Sequence, residues 1–312
     1  MKEIKNLIEV AETIIIHRHV NPDPDALGSQ GGLCELLRAT YPDKRILKAG
    51  EEAETLQFLC QMDKVQREDY DEALIIVTDT GNKERIDGNQ EWMAQAKTAI
   101  KIDHHLKVDD YAPYEYVDSK ASSTSELICD MAKTLEWTFT TEAARLLYAG
   151  IVGDTGRFLF SNTTPHTFEV ASQLIQYDFD FTALSRAFTE MSEKTARLSG
   201  YVQSHFQRQN KVASIVITKE ILNEYQVTAE ETSKLVGLLG QIQGVEAWAF
   251  MIEKEDGSFR CRLRSKQAPI VKVAQRHDGG GHLLACGANA YSKEEREAII
   301  EELNEAVASY YA

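Results

Sequence analysis

The sequence predicts an α/β protein with a parallel sheet in its first part and a smaller α/β domain in its second part. In the first half, short runs of branched apolar residues alternate with segments of helical periodicity. These runs are continuously apolar, which is typical of strands buried on both faces of a parallel sheet that helices cover. The length of 312 residues leaves room for about two domains.

Four strands and four helices are predicted in the first half. Each strand is a run rich in branched or aromatic residues, and each helix carries apolar residues at helical spacing. Ser123, followed by Glu126, has the pattern of a capping box and predicts the start of the second helix. The strands are predicted at residues 13–17, 73–78, 98–102 and 114–117, and the helices at residues 26–40, 123–136, 141–152 and 166–176.

The second half predicts a helical connection followed by a smaller domain. Residues 181–209 are helical in pattern and charged, without a linker rich in Gly, Pro or Ser. Beyond them, strands are predicted at residues 212–217, 247–252 and 259–264, and a final helix at residues 293–309. We therefore divide the chain into a first domain (1–185), a helical linker (186–210) and a second domain (211–312).

The charge of the chain argues against binding of long nucleic acids. There are 34 Lys and Arg residues against 49 Asp and Glu residues, a formal net charge of −15, which would repel a long polyanion such as duplex DNA. Residues 259–282 reverse this balance, because they hold six basic residues and one acidic residue. This segment suits a small anionic ligand, and a solvated basic strand edge is an equal alternative.

Composition and termini predict a cytoplasmic protein. Hydrophobic residues make up 43% and charged residues 27% of the chain, proportions that exclude a disordered or collagen-like protein. No apolar stretch approaches the ~20 residues that a membrane helix needs, and the N-terminus has no signal-peptide pattern. The five cysteines are scattered without a Cys-x-x-Cys pair, which indicates reduced thiols.

Aspartates and histidines follow the predicted strands of the first half, at the point where each strand ends. Ligands of α/β proteins bind at this edge, because the carboxyl ends of parallel strands meet there. The residues are His19, Asp23 and Asp25 after the first strand, Asp79 after the second, Asp103, His104 and His105 after the third, and Asp154 after the helix at 141–152.

Such a set of residues predicts a metal site. Neighbouring carboxylates repel one another unless a cation compensates their charge. A mixture of imidazoles and carboxylates favours a first-row divalent ion such as Mn²⁺. A single aspartate at a strand end is more often a helix cap or a turn residue, but four chain segments that all deliver Asp or His favour a shared cation.

Two motifs in the second domain predict an anion site. In the strand at 259–264, a period of two places Phe259, Cys261 and Leu263 on one face and three arginines on the other. Arginine is suited to bidentate binding of phosphate. Three glycines at residues 279–281 let backbone amides approach an anion, although a flexible turn is the simpler interpretation of glycines alone.

Taken in order, these motifs resemble those of the DHH phosphoesterase superfamily. The matching motifs are His-x-x-x-Asp-x-Asp-x-x-Gly-Ser from His19, the strand-end Asp79, Asp-His-His at residues 103–105 and Gly-Asp-Thr-Gly at residues 153–156. Residues 262–265 and 279–287 resemble the substrate-binding domain attached to many members. The resemblance spans nearly the whole chain and is closest to the nanoRNase subgroup. Those enzymes degrade oligoribonucleotides of a few residues and dephosphorylate 3′-phosphoadenosine 5′-phosphate (pAp).

The resemblance implies two divalent ions, with Mn²⁺ as the expected metal. One ion would be bound by His19 and Asp23, the other by Asp25, His104 and Asp154, and Asp79 would bridge both. Asp103 would orient a histidine that binds metal, and His105 would face the substrate phosphate. The substrate would be bound by Arg262, Arg264, Ser265, Gly279, Gly280, Gly281 and His282.

Other functions agree less well with the sequence. A nicotinamide-dependent oxidoreductase would need Gly-x-Gly-x-x-Gly after the first strand, where this chain has His19 and Asp23. A nucleotide sensor without activity would be expected to lack a metal ligand, and a pyrophosphatase would not be expected to end in Gly-Gly-Gly-His. A linear or cyclic dinucleotide phosphodiesterase and a RecJ-like single-strand exonuclease remain as alternatives. The expected partners are short RNA and pAp, with no long duplex and no membrane; the sequence allows a homodimer without establishing one.

Overall fold

The computed structural model describes residues 1–107 and 109–312. The chain folds as two compact units, Met1–Phe188 and Thr189–Ala312. The division lies within the helical stretch that the sequence predicts between two domains.

A five-stranded sheet forms the centre of the first unit. All neighbouring strands are parallel, in the order β2-β1-β3-β4-β5, which confirms the predicted parallel sheet. The strands are β1 (Thr13–His17), β2 (Arg45–Lys48), β3 (Leu74–Thr78), β4 (Thr98–Asp103) and β5 (Tyr114–Val117). Strand β2 was not predicted, because its sequence, Arg-Ile-Leu-Lys, is short and has a charge at either end.

Several helices of the first unit follow a polar residue that caps them, and of these cap residues Ser123 was predicted. The predicted helices are present, and α5 is longer than expected because it continues to Asp154. Helix α1 was not predicted; it buries Ile4 and Ile8 on one face. The helices are α1 (Lys2–Val10), α2 (Pro24–Thr40), α3 (Gln90–Met93), α4 (Thr124–Thr134), α5 (Thr141–Asp154), α6 (Pro165–Leu174) and α7 (Phe181–Thr189).

The two faces of this sheet are covered differently. On the face that we call the helical face, side chains such as Ile16, Ile76 and Ile102 join the core formed with α2, α4 and α5. On the opposite face, which we call the loop face, Ile15 and Val77 belong to a smaller cluster formed with single residues from turns, loops and α3. Successive residues of a strand point to opposite faces, so each strand contributes to both layers.

Helices α2 and α5 lie unusually close together. A Cβ atom added to Gly28 would lie 2.6 Å from the carbonyl oxygen of Leu146 and 2.8 Å from the backbone nitrogen of Gly150. Only glycine allows this approach of two helix backbones. The contact fixes the C-terminal end of α5, and with it Asp154, relative to the start of α2.

A six-stranded sheet forms the centre of the second unit. Its order is β10-β11-β9-β8-β7-β6, with β7 and β8 parallel and the other pairs antiparallel. Its strands are β6 (Gln207–Gln209), β7 (Val212–Ile217), β8 (Ala247–Glu253), β9 (Phe259–Ser265), β10 (Gly280–Gly281) and β11 (Ala285–Ala290). Its helices are α8 (Glu193–His205), α9 (Lys219–Tyr225), α10 (Val271–Arg276) and α11 (Lys293–Tyr311).

The sequence predicts a helical stretch over residues 181–209, but its last residues are not helical. Residues 207–209 form β6, which pairs with the start of β7, and all three of these residues are exposed at the sheet edge. In β9 the predicted period of two is confirmed: Phe259, Cys261 and Leu263 are buried, whereas the arginines between them are less buried.

The structure contains free cysteines, and its described helices do not suit a membrane. All five cysteines are free thiols, four of them buried and Cys60 partly so. Among the described residues, every helix is too short or too polar to cross a membrane.

Candidate metal centre

The predicted aspartates and histidines of the first unit lie together beyond the carboxyl ends of β1, β3 and β4. In the sheet, His17 pairs with Val77, and Thr78 pairs with Ile102, so these strands end almost level with one another. The residues form two groups of three, His19–Asp23–Asp79 and Asp25–His104–Asp154, and within each group one possible ligand atom per residue lies within 4.8 Å of the others.

In the first group, the imidazole of His19 faces two carboxylates. Its Nε2 atom lies 3.6 Å from Oδ2 of Asp23 and 3.5 Å from Oδ2 of Asp79. Its Nδ1 atom lies 2.9 Å from the carbonyl oxygen of Val20, so Nδ1 can donate to this carbonyl while Nε2 serves as a ligand. Burial alone would lower the pKa of His19, but hydrogen bonds and charges from Asp23 and Asp79 raise it to about 10. The group therefore attracts a positive charge between its members.

The start of α2 positions Asp23. Its Oδ1 atom accepts hydrogen bonds from the backbone nitrogens of Asp25 and Ala26, both at 3.0 Å, as an N-cap residue does. This cap turns the Oδ2 atom toward His19. Asp23 therefore caps α2 with one carboxylate oxygen and presents the other to the space beside His19, where a cation could bind.

A second chain segment ties down the loop that carries His19. The backbone nitrogen of Val20 donates to the carbonyl of Arg85 at 2.7 Å, and that of Asp87 donates to the carbonyl of Arg18 at 2.8 Å. Buried Arg18 forms an ion pair with Asp87. The loop after β1 is thus held to the segment that follows β3.

In the second group, the imidazole of His104 faces the carboxylate of Asp154. Its Nε2 atom lies 2.9 Å from Oδ2 of Asp154, and its Nδ1 atom lies 3.3 Å from the carbonyl oxygen of Ala121. Burial, followed by the charges of Asp79 and Asp154, raises the pKa of Asp25 well above its usual range. Burial also raises the pKa of Asp154. Carboxylates in such surroundings need a cation to stay ionised.

The N-terminus of α4 holds two of these carboxylates, a feature that sequence reasoning missed. Asp25 accepts from the backbone nitrogens of Thr124 at 2.7 Å and Ser125 at 3.0 Å. The hydroxyl of Thr124 donates to Oδ1 of Asp79 at 3.0 Å. A helix N-terminus favours anions. The predicted start of this helix, after a strand of the same sheet, was the signal that could have revealed the contact.

The capping box predicted for α4 forms only in part. The Ser123 hydroxyl accepts from the backbone nitrogen of Glu126 at 3.0 Å. The carboxylate of Glu126 instead accepts from the backbone and hydroxyl of Ser122. The buried glutamate therefore fixes the turn before α4 rather than the cap residue itself.

Gly150 gives this region its close packing. A Cβ atom at this position would lie 2.0 Å from Oγ of Ser125 and 2.6 Å from Oδ1 of Asp25. The absence of a side chain on α5 thus leaves the space in which Asp25 meets the start of α4.

Asp79 belongs to the first group and also lies close to the second. Its Oδ2 atom faces His19, and its Oδ1 atom lies 3.7 Å from Nε2 of His104 and 3.5 Å from Nδ1 of His105. Its φ of 51° is in the left-handed region, which is unfavourable for residues other than glycine and is found at functional sites. The structure thus brings together His19, Asp23, Asp25, Asp79, His104 and Asp154.

The chemistry of these residues fits divalent ions. Asp25 and Asp79 are 0% and 1% exposed, so their negative charges cannot be screened by solvent. Imidazole nitrogens and carboxylate oxygens are the donors that first-row divalent ions accept, and the absence of a thiolate from both groups disfavours a structural zinc site.

Asp103 and His105 form a pair beside these groups. Oδ1 of Asp103 lies 2.7 Å from Nδ1 of His105 and accepts from its backbone nitrogen at 3.2 Å. Burial would raise the pKa of Asp103, but the hydrogen bond and charge of His105, with the charge of Lys101, lower it to about 2. Asp103 therefore contacts His105 rather than a histidine that was expected to bind metal, and His104 is oriented by the carbonyl of Ala121.

In the second unit, the arginines share one face of β9. Arg262 and Arg264 are partly buried, and Arg260 is exposed. Burial, followed by the charges of Arg264 and Arg260, lowers the pKa of Arg262 to about 10. Nη1 of Arg262 donates to the hydroxyl of Thr232 at 3.3 Å. This concentration of positive charge would be stabilised by an anion.

The glycine segment is a hairpin rather than an open loop. Gly280 and Gly281 pair with Gly287 and Cys286 of β11, and the backbone nitrogen of exposed His282 donates to the carbonyl of Ala285 at 2.9 Å. Some of the backbone amides that were predicted to bind an anion are therefore engaged in strand pairing.

Two further predicted residues lie next to this hairpin. A Cβ atom on Gly279 would lie 2.0 Å from the carbonyl oxygen of Gly287, so this glycine is required by the close approach of two backbones. The hydroxyl of Ser265 is buried and forms no hydrogen bond among the described residues. The backbone nitrogen of Ser265 donates to the carbonyl of Leu284 at 2.9 Å.

Two family models match this chain. The model of the DHH family, N-terminal domain, matches residues 13–151, and the model of the DHHA1 domain matches residues 209–309. The first match covers the sheet and both groups of residues except Asp154, and the second covers β9 and the glycine hairpin.

Proteins of similar sequence match along nearly their full length. The chain is 48% identical over 303 residues to the "Probable bifunctional oligoribonuclease and PAP phosphatase NrnA" of Streptococcus mutans, covering 97% of each chain. It is 46% identical over 305 residues to the bifunctional oligoribonuclease and PAP phosphatase NrnA of Bacillus subtilis, covering 96% of each chain.

Solved structures share the fold. A crystal structure of an exopolyphosphatase-related protein from Bacteroides fragilis matches with a TM-score of 0.89 and 26% identity, over 99% of this chain and 95% of the other. A pGpG-specific phosphodiesterase from Vibrio matches with a TM-score of 0.50 and 13% identity, over 95% of this chain and 99% of the other. The second likeness concerns the fold alone.

Proposed function

This chain belongs to the DHH family, and on that premise we propose that it hydrolyses short oligoribonucleotides, of two to about five residues, and dephosphorylates pAp to AMP. The observation that carries the proposal is the pair of three-residue groups, with Asp79 of the first group also facing His104 of the second. The names of relatives 46% and 48% identical along nearly the whole chain support these two substrates. We assign hydrolysis to the first domain, 1–185, and substrate binding to the second, 211–312, with residues 186–210 as the linker.

We propose that two Mn²⁺ ions bind to the residues of the two groups. His19 and Asp23 would hold one ion, Asp25, His104 and Asp154 the other, and Asp79 both, since its two oxygens face different groups. When bound, two such ions lower the pKa of an attacking water and neutralise charge on the phosphoryl oxygens. Thr124 and Ser125 would keep the carboxylates in place by hydrogen bonds from the start of α4.

His105 is proposed to bind a phosphoryl oxygen of the substrate. Burial would lower its pKa, but the hydrogen bond to Asp103 and the charges of Asp79 and Asp103 raise it, which favours the form with a proton on each nitrogen. Nδ1 is held by Asp103. The Nε2–H group is then the donor that can face negative charge developing on the substrate.

The two proposed substrates share one scissile bond. In pAp and in a 5′-phosphorylated dinucleotide, a phosphoryl group is joined to the 3′-oxygen of a nucleotide that carries a 5′-phosphate. Addition of water to that phosphorus and cleavage of its bond to the 3′-oxygen gives AMP and phosphate in the first case, and two 5′-mononucleotides in the second. One active site can therefore carry out both reactions.

The second domain is proposed to bind the nucleotide. Arg262 and Arg264 would pair with a phosphate, which relieves the repulsion between guanidinium groups on β9. The hairpin at 279–282 and Ser265 lie at the ends of strands in the same sheet and complete the proposed set of substrate-binding residues.

The test compares substrates under one set of conditions. The full chain with Mn²⁺ is incubated with pAp, pyrophosphate, a cyclic dinucleotide and 5′-labelled RNAs from about 2 to about 24 nucleotides. We expect pAp and RNAs of two to about five residues to react fastest, because the acidic chain repels each additional phosphate within a Debye length of ~8 Å. Faster degradation of the longest RNA would indicate a RecJ-like exonuclease instead. Preference for the cyclic dinucleotide or for pyrophosphate would indicate a different phosphohydrolase.

A further inference from the structure

Lys101 lies where a strand of a parallel sheet would ordinarily carry an apolar residue. It is in the middle of β4 and 0% exposed, between Ile100 and Ile102, which face the helical core. Its own side chain extends on the loop face. Lysine is almost never fully buried unless it is paired, because removing its charge from water costs several kcal/mol. The buried charge of Lys101 therefore needs partners that compensate the cost of removing it from water.

Three contacts surround the ammonium group of Lys101. Its Nζ atom lies 3.4 Å from Oδ2 of Asp103, donates to the carbonyl of Gly81 at 3.1 Å, and lies 4.7 Å from the centre of the Tyr111 ring. The hydroxyl of Tyr111 donates to the carbonyl of Thr80 at 2.7 Å, which fixes the ring over the lysine. These contacts leave the ammonium group a single position.

The carboxylate of Asp103 joins this lysine to His105. Oδ2 faces Lys101, and Oδ1 accepts from the backbone nitrogen of His105 and lies 2.7 Å from its Nδ1 atom. Asp103 is 0% exposed, and among the described residues its Oδ2 atom accepts no hydrogen bond, so the ion pair with Lys101 is what holds that oxygen. A carboxylate held at both oxygens cannot rotate away from the imidazole.

We propose that Lys101 is a positioning residue that, through Asp103, holds the ring of His105 in the orientation needed to bind the substrate phosphate. The inference rests on the function proposed above for His105. Without the ammonium group, Oδ2 of Asp103 would be a buried charge with no partner, and the carboxylate would turn toward other donors. His105 would then lose the bond that fixes its Nδ1 atom, and Nε2 would lose its direction.

The test replaces Lys101 by Met, which keeps the length of the side chain and removes the charge. Lys97→Met is the matched control, because Lys97 immediately precedes β4 and its side chain is 64% exposed. For each protein with Mn²⁺ we would measure bound metal by elemental analysis, and kcat and KM on pAp. The side-chain nitrogen resonances of ¹⁵N-labelled histidines are recorded with diamagnetic Mg²⁺ in place of Mn²⁺, because paramagnetic Mn²⁺ would broaden them. The resonance of His105 is assigned with His105→Asn.

We expect Lys101→Met to retain its metal and to lose about 10- to 100-fold in kcat, the range seen when partners that orient such groups are removed. The Nδ1 signal of His105 should lose its hydrogen-bonded shift, and Lys101→Arg should recover part of both. Unchanged kcat with an unchanged His105 signal would overturn the inference. Parallel loss of metal and thermal midpoint, with His105 still hydrogen-bonded, would also overturn it and indicate a structural role.

The inference can also be tested if the Lys101→Met variant does not fold or if the wild type is inactive. If Lys101→Met does not fold, Lys101→Gln, which can still donate to the Gly81 carbonyl, is measured in the same way. If the wild-type protein hydrolyses neither pAp nor RNA, the proposed function fails, and the His105 signal alone decides the inference. Its loss in the Lys101 variant supports a link from Lys101 to His105, and its persistence refutes that link.

Discussion

The hydroxyl of Thr124 lies 3.0 Å from Oδ1 of Asp79, although 45 residues separate them in the chain. Thr124 also donates its backbone nitrogen to Asp25, so one residue at the start of α4 holds a carboxylate from each group of proposed ligands. Helix α4 therefore couples the two halves of the candidate centre.

Replacing Thr124 by Val should weaken metal binding while leaving the fold intact. The substitution keeps the shape and the backbone bond to Asp25 but removes the donor to Asp79. We expect a 10- to 100-fold loss in affinity for Mn²⁺, measured by titration calorimetry on the metal-free protein. Thr124→Ser, which keeps the hydroxyl, is the control and should bind nearly as the wild type does. Equal affinities of Val and Ser variants would contradict the role of the hydroxyl.

Asp79→Ala should abolish hydrolysis and remove bound metal, because its two oxygens face both groups. Glu72→Ala is a matched control: Glu72 also has a left-handed backbone, with φ of 58°, and its side chain is 83% exposed. Any cost of alanine in that conformation is thereby shared. Elemental analysis that finds two tightly bound ions in Asp79→Ala, with normal turnover, would refute the dinuclear centre.

Gly150→Ala should destabilise the first unit, because the methyl group would overlap Ser125 and Asp25. Overpacking of this kind costs about 1–3 kcal/mol in the free energy of unfolding. Gly200→Ala is the control, since a Cβ atom at that position of α8 meets nothing within 4 Å and alanine favours helix. Urea unfolding of both variants should show opposite shifts of the midpoint. Two shifts of the same sign would contradict the packing argument.

His17 should make the free energy of unfolding depend on pH. Burial lowers its pKa from 6.5 to about 4, and its ring lies between the Asp87 carbonyl (Nδ1, 2.8 Å) and the Tyr70 hydroxyl (Nε2, 3.2 Å). The unfolded chain thus binds a proton between pH 6.5 and 4 that the folded chain does not. The free energy of unfolding is therefore highest above pH 6.5, where His17 is neutral in both states, and it decreases as the pH falls to about 4.

The check compares unfolding of the wild type and His17→Gln in the presence of a chelator, so that metal binding does not contribute. Between pH 7 and pH 4 the free energy of unfolding of the wild type should fall by on the order of 3 kcal/mol more than that of His17→Gln, for a shift of this size. A constant difference across this range would show that His17 titrates normally in the folded chain.

Arg264→Ala should lower catalytic efficiency on pAp without removing metal. A charge-assisted contact contributes about 1.5–3 kcal/mol, or a factor of about 10 to 150 in binding. Lys at this position should recover the loss only in part, because it lacks the planar fork of donors. Hydrolysis of a small activated phosphodiester should fall much less. Equal losses on both substrates would assign the arginine to the chemical step or to the stability of the second unit.

Four of the five strands of the first sheet, and the meeting of the six proposed metal ligands at its edge, could be predicted because their signals are local. Continuous apolar runs mark β1, β3 and β4, and the residues that follow each strand must meet at one edge. Contacts that depend on packing could not be predicted. Thr124 meets Asp79 only because α4 crosses that edge, and Lys101 reads as an interruption of an apolar strand until the loop face is seen.

Because helices cover one face of the first sheet and loops cover the other, substitutions on the two faces should have different effects. Asp25 and Asp154 come from helices of the helical face, where a change in packing alters core and ligands together. Lys101 and Asp103 rest against the loop face, whose covering consists of single residues from turns and short segments. Substitutions on the loop face can therefore reach His105, which is proposed to bind the substrate, without disturbing the helix packing that positions Asp25 and Asp154.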